Sequence, residues 1–390
     1  MLIGRDERRI DATLLTGAAR DVTGDLGRTY EDASCLRYRR LRPAKDGGTT
    51  VPTPLETTTG AAATALLGLG VYRPARVVTN DEVAGPIDSS DEWIRTRSGI
   101  RTRRFAAADE NVITMGIAAG RDALASAGIE PGQVGTVIVA TSTHWYQTPG
   151  CAPQIAVGLG MASPAAFDIS AGCSGFCHAV ALASDLVRGG TARYVLVIGV
   201  EKLTDTLDAT DRSTAFLFAD GAGAVVVGPS DEVRIGPTVW GSDGSQKDAI
   251  TQTKDTLSYI DDPDPGKVRP YLQMSGSAVF RWAAHSLEKV CREALDRAGV
   301  APDQLDAMIP HQANGRIIEI MAKVLGLRPD CAVANDIETS GNTSAASVPL
   351  AMEELLRTGK ARPGDTALLI AFGAGLTYAA QVVTLPELAA

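Results

Sequence analysis

No apolar run in the 390 residues reaches the ~18 positions a membrane-spanning helix needs, so no helical membrane span is expected. The opening stretch, MLIGRDERRID, carries charge where the apolar core of a secretion signal belongs, and the expected location is the cytoplasm. The six cysteines include no Cys-x-x-Cys pair. The four histidines include no His-Glu-x-x-His, so no metal site is expected. Positive charge is also short. With 37 basic against 46 acidic residues the net charge is −9, which argues against non-specific nucleic-acid binding. Glycine at 40 and proline at 20 are near ordinary usage, which excludes collagen-like and low-complexity classes.

What is present is apolar material for a large core, 45% hydrophobic against 21% charged. Residues 1–62 stand apart, with 10 basic and 9 acidic residues scattered without a helical or strand period. They end in DGGTTVPTPLETTTGAA, and that composition predicts an unstructured extension, a small docking segment being the alternative. Patterned structure begins at Ala65 with ALLGLGVYRPARVVT, a first strand and turn.

A repeat then sets the architecture. ALASAGIEPGQVGTVIV from Ala123 and ALDRAGVAPDQLDAMIP from Ala294 share Ala, Leu, Ala-Gly, Pro and Gln in register, with the prolines 171 residues apart. Each reads as a helix end, a glycine stop, a proline turn and a buried strand. A second pair, from Phe167 and from Ala334, aligns Leu186-Val187-Arg188 with Leu355-Leu356-Arg357, an offset of 169. That offset puts Gly172 on Gly341 and Cys173 on Asn342, at equivalent helix starts. Strands alternating with helices imply an α/β fold. Two copies imply related halves over 63–230 and 231–390.

Few side chains in this pattern carry chemistry. Cys173 follows the strand Phe167-Asp168-Ile169 and precedes an amphipathic helix, between glycines. A cysteine at a helix start meets unpaired N–H groups and the positive dipole end, which favour thiolate. It is a candidate nucleophile, a small buried cysteine being the alternative. Cys177, one turn on, reads as core. His311 opens His311-Gln312-Ala313-Asn314 at the end of the apolar strand from Ala307, where α/β sites form. A structural loop histidine is the alternative there. His178 points away from the cysteine side. Asn342 suits a helix cap, but the repeat matches it to the candidate nucleophile. The glycine-rich turns Asp220–Ala224 and Phe372–Gly375 do not fit a dinucleotide fingerprint. Both are expected to bring backbone close to a reacting carbonyl, tight strand connections being the alternative.

Six motifs occur in order. They are Asp91-Glu92-Trp93-Ile94 with Thr96–Ile100, Gly172–Phe176, Phe218–Ala224, His311–Asn314, Gly341–Ser347 and Phe372–Gly375. From about Ala65 to Leu388 the chain resembles the class III β-ketoacyl-acyl-carrier-protein synthases of the thiolase superfamily. The resemblance implies a thiolase-like five-layer αβαβα fold built from two related halves. It also implies a catalytic triad of Cys173, His311 and Asn342, with an oxyanion hole from the backbone N–H groups of Cys173 and Ala374. Ala374 departs from the family's third glycine, but the N–H survives that change. Coenzyme A contacts map to Trp93 (adenine stacking), Arg97, Arg212, Asn314 and Arg316.

The implied reaction is a decarboxylative condensation of an acyl-CoA with malonyl-acyl-carrier protein through an acyl-cysteine. It needs no metal or redox cofactor. The carrier protein is acidic as a class and so is this core, so docking requires a local basic surface. Arg101, Arg103, Arg104 and Arg316 are the candidates, a solvated face being the alternative. The family is dimeric, and a homodimer is expected. Thr148 corresponds to the position by which the partner subunit closes the acyl pocket. A threonine there implies acyl groups larger than acetyl. An acyltransferase without condensation and a non-catalytic scaffold are the competing functions.

Overall fold

The structure, a computed structural model, describes residues 55–264 and 266–388. The first half runs β1 (Ala63–Tyr72), β2 (Arg76–Thr79), α1 (Asn80–Ala84), α2 (Asp91–Ser98), β3 (Thr102–Phe105), α3 (Val112–Ala127), β4 (Thr136–Ala140), α4 (Ala152–Gly158), β5 (Ala165–Ile169), α5 (Gly175–Arg188), β6 (Val195–Lys202) and β7 (Asp220–Ser230). The second runs β8 (Val239–Gly241), β9 (Ile250–Gln252), α6 (Thr256–Ile260), β10 (Leu272–Met274), α7 (Gly276–Ala298), β11 (Ala307–Pro310), α8 (Gly315–Leu325), β12 (Ala332–Val333), α9 (Ile337–Ser340), α10 (Ser347–Arg357), β13 (Thr366–Gly373) and β14 (Thr377–Thr384).

Two five-stranded sheets hold the fold, in the orders β1-β7-β6-β4-β5 and β8-β14-β13-β11-β12. Strand directions match position by position. The β4–β6 and β11–β13 pairs are parallel, and the β6–β7 and β13–β14 pairs are antiparallel. Helices α3 and α4 cover the outer face of the first sheet, and α7 and α8 that of the second. Helices α5 and α10 fill the space between the sheets, burying Phe176, Val180, Val348 and Met352 against strands of both. The result is the expected five-layer αβαβα order. Covered on both faces, β6 as far as Val200 and β13 from Ala367 read as apolar runs rather than alternating ones.

The repeat is visible in local chemistry. Gly128 ends α3 and Gly299 ends α7, each in the left-handed region, and each is followed by a 3-10 turn on Pro131 or Pro302. Matched strands keep an offset of 171 from β6 (195–202) to β13 (366–373). At the turns before α5 and α10 the alignment needs correction. The 3-10 turns span Gly172–Ser174 and Ser344–Ala346, so the element offset there is 172. Cys173 therefore corresponds to Ala345, and Asn342 lies three residues ahead of that position. The offset of 169 holds only where α5 and α10 end, at Arg188 and Arg357.

Two further expectations change. The glycines of Asp220–Ala224 lie within β7, away from any turn. A Cβ on Gly223 would stand 2.6 Å from the Pro349 ring, so its role is to let α10 lie on the sheet. The unstructured extension expected over 1–62 falls largely outside the described residues. Its last residues are ordered by α5. Gly60 and Ala61 donate their N–H groups to the carbonyls of Arg188 and Val187, and Thr58 Oγ1 donates to Gly189 O at 2.6 Å. Those carbonyls lack partners inside the helix, so the entering chain caps its end.

Candidate active site

A cavity of about 520 Å³ opens where the two sheets present their connecting turns, and Cys173, His311, Asn342 and Ala374 all line it. Cys173 comes from the first half. The other three come from the second. Leu272, Met274, Val279 and Phe280, from β10 and α7, form an apolar wall.

Close backbone approach holds the floor together. A Cβ on Gly373 would lie 2.3 Å from Cys173 N, and one on Gly172 would lie 2.7 Å from Ala374 N. Gly172 has φ +52, which a side chain would strain as well. The N–H groups of Cys173 and Ala374 thus belong to two turns packed backbone to backbone. Thr377 Oγ1 bridges the turns, donating to Ala171 O at 2.8 Å.

Cys173 is buried, and burial pushes its thiol up to about 12. The expected helix-start thiolate is therefore not the resting state, because desolvation outweighs the N–H groups at the turn. Cys177 is buried among the residues of the middle layer. His178 turns its ring to Ser174 O, 3.0 Å from Nδ1, and stacks on Trp240.

His311 is buried at the end of β11. Its Nδ1 lies 2.6 Å from Ser347 Oγ, and Ser347 Oγ also accepts the Gln312 N–H. A serine proton on that hydrogen bond puts the imidazole's own proton on Nε2. Burial depresses the imidazole to about 3, so the ring is neutral. Asn342 is fixed by its backbone, which donates to Leu217 O and accepts from Ala219 N–H, each at 2.9 Å. Its Oδ1 accepts from Ser344 N–H at 2.9 Å, leaving the NH₂ for a ligand.

The residues matched to coenzyme A gather in two places. Arg97 and Arg212 stand over the Trp93 ring, their guanidinium carbons 5.5 and 4.7 Å from its centroid. Phe216 packs edge-on to the same indole. Asn314 lines the cavity, caps α8 and donates to Arg97 O at 2.9 Å, tying the two places together. Arg316 is exposed and lies over Phe280, which lines the cavity.

Of the arginines expected to dock a carrier, Arg103 is excluded. It is fully buried, donating to Asn80 Oδ1 at 2.7 Å, Phe216 O at 2.8 Å and Val78 O at 3.4 Å. It is a scaffold residue beneath Gly341, whose Cβ would stand 2.9 Å from the Arg103 Cβ. Arg104 is half-buried and donates to Pro74 O and Ala75 O, while Arg101 is exposed beside Glu338. Thr148 is exposed and does not line the cavity of a single chain.

Three polar residues escape a motif reading. Ser347 orients His311. Ser344, in the left-handed region at φ +49, lines the cavity beside Cys173. Behind it lies Glu201, fully buried at the end of β6. Ser347 and Ser344 fall inside a quoted motif, but nothing in the motif distinguishes their contacts from helix-start chemistry. Glu201 has no local signal in the sequence.

Comparison with known proteins gives a consistent result. Two family models match, 3-oxoacyl-[acyl-carrier-protein (ACP)] synthase III over residues 167–244 and its C-terminal counterpart over 295–385. The chain is similar to the mycobacterial beta-ketoacyl-[acyl-carrier-protein] synthase III of Mycobacterium marinum, 58% identical over 335 residues, covering 86% of this chain and 99% of the relative. The beta-ketoacyl-[acyl-carrier-protein] synthase III of Mycobacteroides abscessus is 59% identical over 328 residues, covering 84% of this chain and 96% of the relative. Among solved structures, the priming beta-ketosynthase from the R1128 polyketide pathway superimposes with a TM-score of 0.83 at 46% identity, covering 86% of this chain and 100% of that one. The 3-oxoacyl-(acyl carrier protein) synthase III of Pseudomonas aeruginosa gives a TM-score of 0.77 at 38% identity, covering 84% and 100%.

Proposed function

The chain belongs to the 3-oxoacyl-[acyl-carrier-protein] synthase III family, and from that premise we propose that Cys173, His311 and Asn342 carry a two-step acyl transfer. The enzyme is an acyltransferase of the ketosynthase III type. It condenses a starter acyl group with malonyl-acyl-carrier protein in fatty-acid or polyketide synthesis. Cys173 Sγ attacks the acyl-CoA thioester carbonyl, the sulfur–carbon bond forms, and CoA leaves as thiolate. The tetrahedral oxyanion accepts from the N–H groups of Cys173 and Ala374. Malonyl-carrier then enters, and its carboxylate leaves as CO₂. The enolate oxygen accepts from His311 Nε2–H and the Asn342 NH₂, and the carbanion displaces Cys173 from the acyl group.

The supporting observation is the joint lining of one cavity by all three side chains, with a neutral His311 and an uncommitted Asn342 NH₂. Two neutral donors suit an enolate, because they stabilise charge that develops only as CO₂ departs. Trp93 with Arg97 and Arg212 is read as the adenine site of coenzyme A, and Asn314 and Arg316 as contacts along the way in. Arg316, Arg101 and Arg104 are read as the basic dock for the acidic carrier. A homodimer fits the open edge of β5, where Phe167 is exposed, and the exposure of Val157 on α4. It also fits the exposure of Thr148, whose pocket role requires a second subunit and which would admit starters larger than acetyl. A cytoplasmic setting suits a nucleophile that must stay a thiol.

The test is release of labelled CO₂ from carboxyl-labelled malonyl-carrier protein across an acyl-CoA panel. Condensation predicts CO₂ in step with 3-oxoacyl-carrier product, and a sharp drop for Asn342→Ala. Acyl delivery to a hydroxyl or amine acceptor with no CO₂ would instead mark a plain acyltransferase.

A further inference from the structure

Burial leaves Cys173 protonated at rest, and the neutral His311 beside it is a poor proton acceptor at so low a basicity. A second buried polar chain ends at the same cavity wall. Ser344 lines the cavity together with Cys173, and its hydroxyl donates to Glu201 Oε1 at 3.1 Å.

Glu201 is fully buried, and among the described residues it has no ion-pair partner. Its neighbour Lys202 faces away, with Nζ donating to Ala107 O and Glu110 O. Gly221 of β7 stands opposite Glu201 in the sheet and brings no charge. The titratable groups that sense Glu201 are Cys173 and Cys151, and both thiols are raised by it. Donors surround the carboxylate. They are Ser142 N–H and Oγ, Thr141 Oγ1 at 3.2 Å and Thr143 Oγ1 at 2.7 Å. Thr141 Oγ1 and Thr143 Oγ1 in turn accept backbone N–H groups from Thr143 and Lys202, so their own protons point at Glu201. The cage is built for an anion, while burial opposes one. A buried carboxylate held between those opposing effects is a group whose proton affinity has been tuned. Ser344 also sits at φ +49, a costly conformation for a residue other than glycine.

We propose that Ser344 and Glu201 form a proton relay that takes the Cys173 thiol proton during acylation and returns it when the sulfur is released. In the first step Ser344 Oγ accepts the proton from Sγ as it passes its own to Glu201 Oε1. Sulfur bonds to the acyl carbon, and CoA departs as thiolate through the cavity mouth. Glu201 then holds one proton for the lifetime of the acyl-enzyme. In the second step the malonyl carboxylate leaves as CO₂ and carbon–carbon bond formation expels Cys173 as thiolate. Glu201 returns its proton through Ser344, regenerating thiol and carboxylate. Atoms and charge balance with no further reactant. The relay rests on Cys173 being the acylated nucleophile.

The experiment is the pre-steady-state rate of Cys173 acylation by an acyl-CoA against pH, read by intact-protein mass spectrometry. It compares wild type, Glu201→Gln, Ser344→Ala and the double variant. The expected wild-type rate rises with pH as Glu201 loses its proton. Glu201→Gln should remove that rise, leaving only the ionisation of the thiol at higher pH. Each single variant should slow acylation about 10²-fold at neutral pH, the scale of general-base assistance. The double variant should be no slower than the slower single one, since the two act as a unit. A Glu201→Gln profile parallel to wild type, or a double loss equal to the product of the singles, overturns the relay. If Glu201→Gln does not fold, Ser344→Ala decides alone, because it leaves the other donors to Glu201 in place. No adduct on wild-type Cys173 with any acyl-CoA would defeat the function proposed above. Adducts at equal rates in all four proteins would defeat only the relay.

Discussion

The turn before α5 and the turn before α10 hold matched places in the two halves, and each opens on a left-handed residue, Gly172 at φ +52 and Ser344 at φ +49. The first carries its reactive side chain inside the 3-10 turn. The second carries Asn342 ahead of it, on a segment bridged to Phe218. Helix α10 has 11 residues against 14 in α5, so with their ends aligned it begins three residues later. Three residues of helix are about 4.5 Å of rise, close to one full turn. The extra loop lets an amide enter the cavity that a copy of the first turn would have kept at the helix start. In the function proposed above, one turn holds a nucleophile against backbone N–H groups and the other a fixed hydrogen-bond donor.

This division of labour has measurable edges. Cys173→Ala should remove the acyl adduct and lower condensation by at least about 10⁴-fold, as for other nucleophiles acting within a unit, measured by product formation. Asn342→Ala should lower decarboxylative condensation about 10²–10³-fold while the acylation burst stays within a few-fold of wild type. Equal loss in both steps would end the assignment of the second turn to enolate stabilisation. Gly172→Ala should cost about 1–3 kcal/mol in denaturant unfolding, from positive φ and contact with Ala374 N. Its acylation rate should fall with the displaced N–H groups.

The buried imidazole gives a pH test. The unfolded chain binds a proton at His311 below its ordinary value near 6.5, but the folded chain binds it only near 3. Stability is therefore lost as pH falls through that window, by up to about 1.4 kcal/mol per pH unit. The difference between wild type and His311→Gln, followed by urea unfolding from pH 7 to 4, should change in the variant's favour. The smallest effect is at the rim. Arg101→Glu, at an exposed arginine read only as part of the carrier dock, should raise the KM for malonyl-carrier protein several-fold in low salt and leave Cys173 acylation within a few-fold of wild type.

Much of the site was legible because its residues punctuate elements. Cys173 sits at a helix start, His311 at a strand end and Asn342 just after the glycine that closes α9, each marked by glycine or a polar break, and the paired Ala-Gly stops reveal the duplication. The three-residue slip stayed hidden because Leu355-Leu356-Arg357 fixes where α10 ends and says nothing about where it begins. Arg103 looked like a surface charge in the run Arg101–Arg104, but Asn80 Oδ1 and the Phe216 carbonyl, distant in sequence, hold it inside. Glu201 was invisible for the opposite reason. It closes a wholly buried strand, and its partners Thr141, Ser142, Thr143 and Ser344 come from two other segments.

The Arg212 guanidinium over Trp93 has an optical side. An indole faced by a cation 4.7 Å from its centroid has its excited state perturbed by that charge. Such a contact is worth only about 0.5–1 kcal/mol at an exposed site, so a nucleobase could displace it at small cost. Replacing charge by a flat aromatic ring would alter the emission of Trp93. With the adenine site proposed above, the side chain is in effect a fluorophore placed where the nucleobase would arrive, able to report occupancy without any added label.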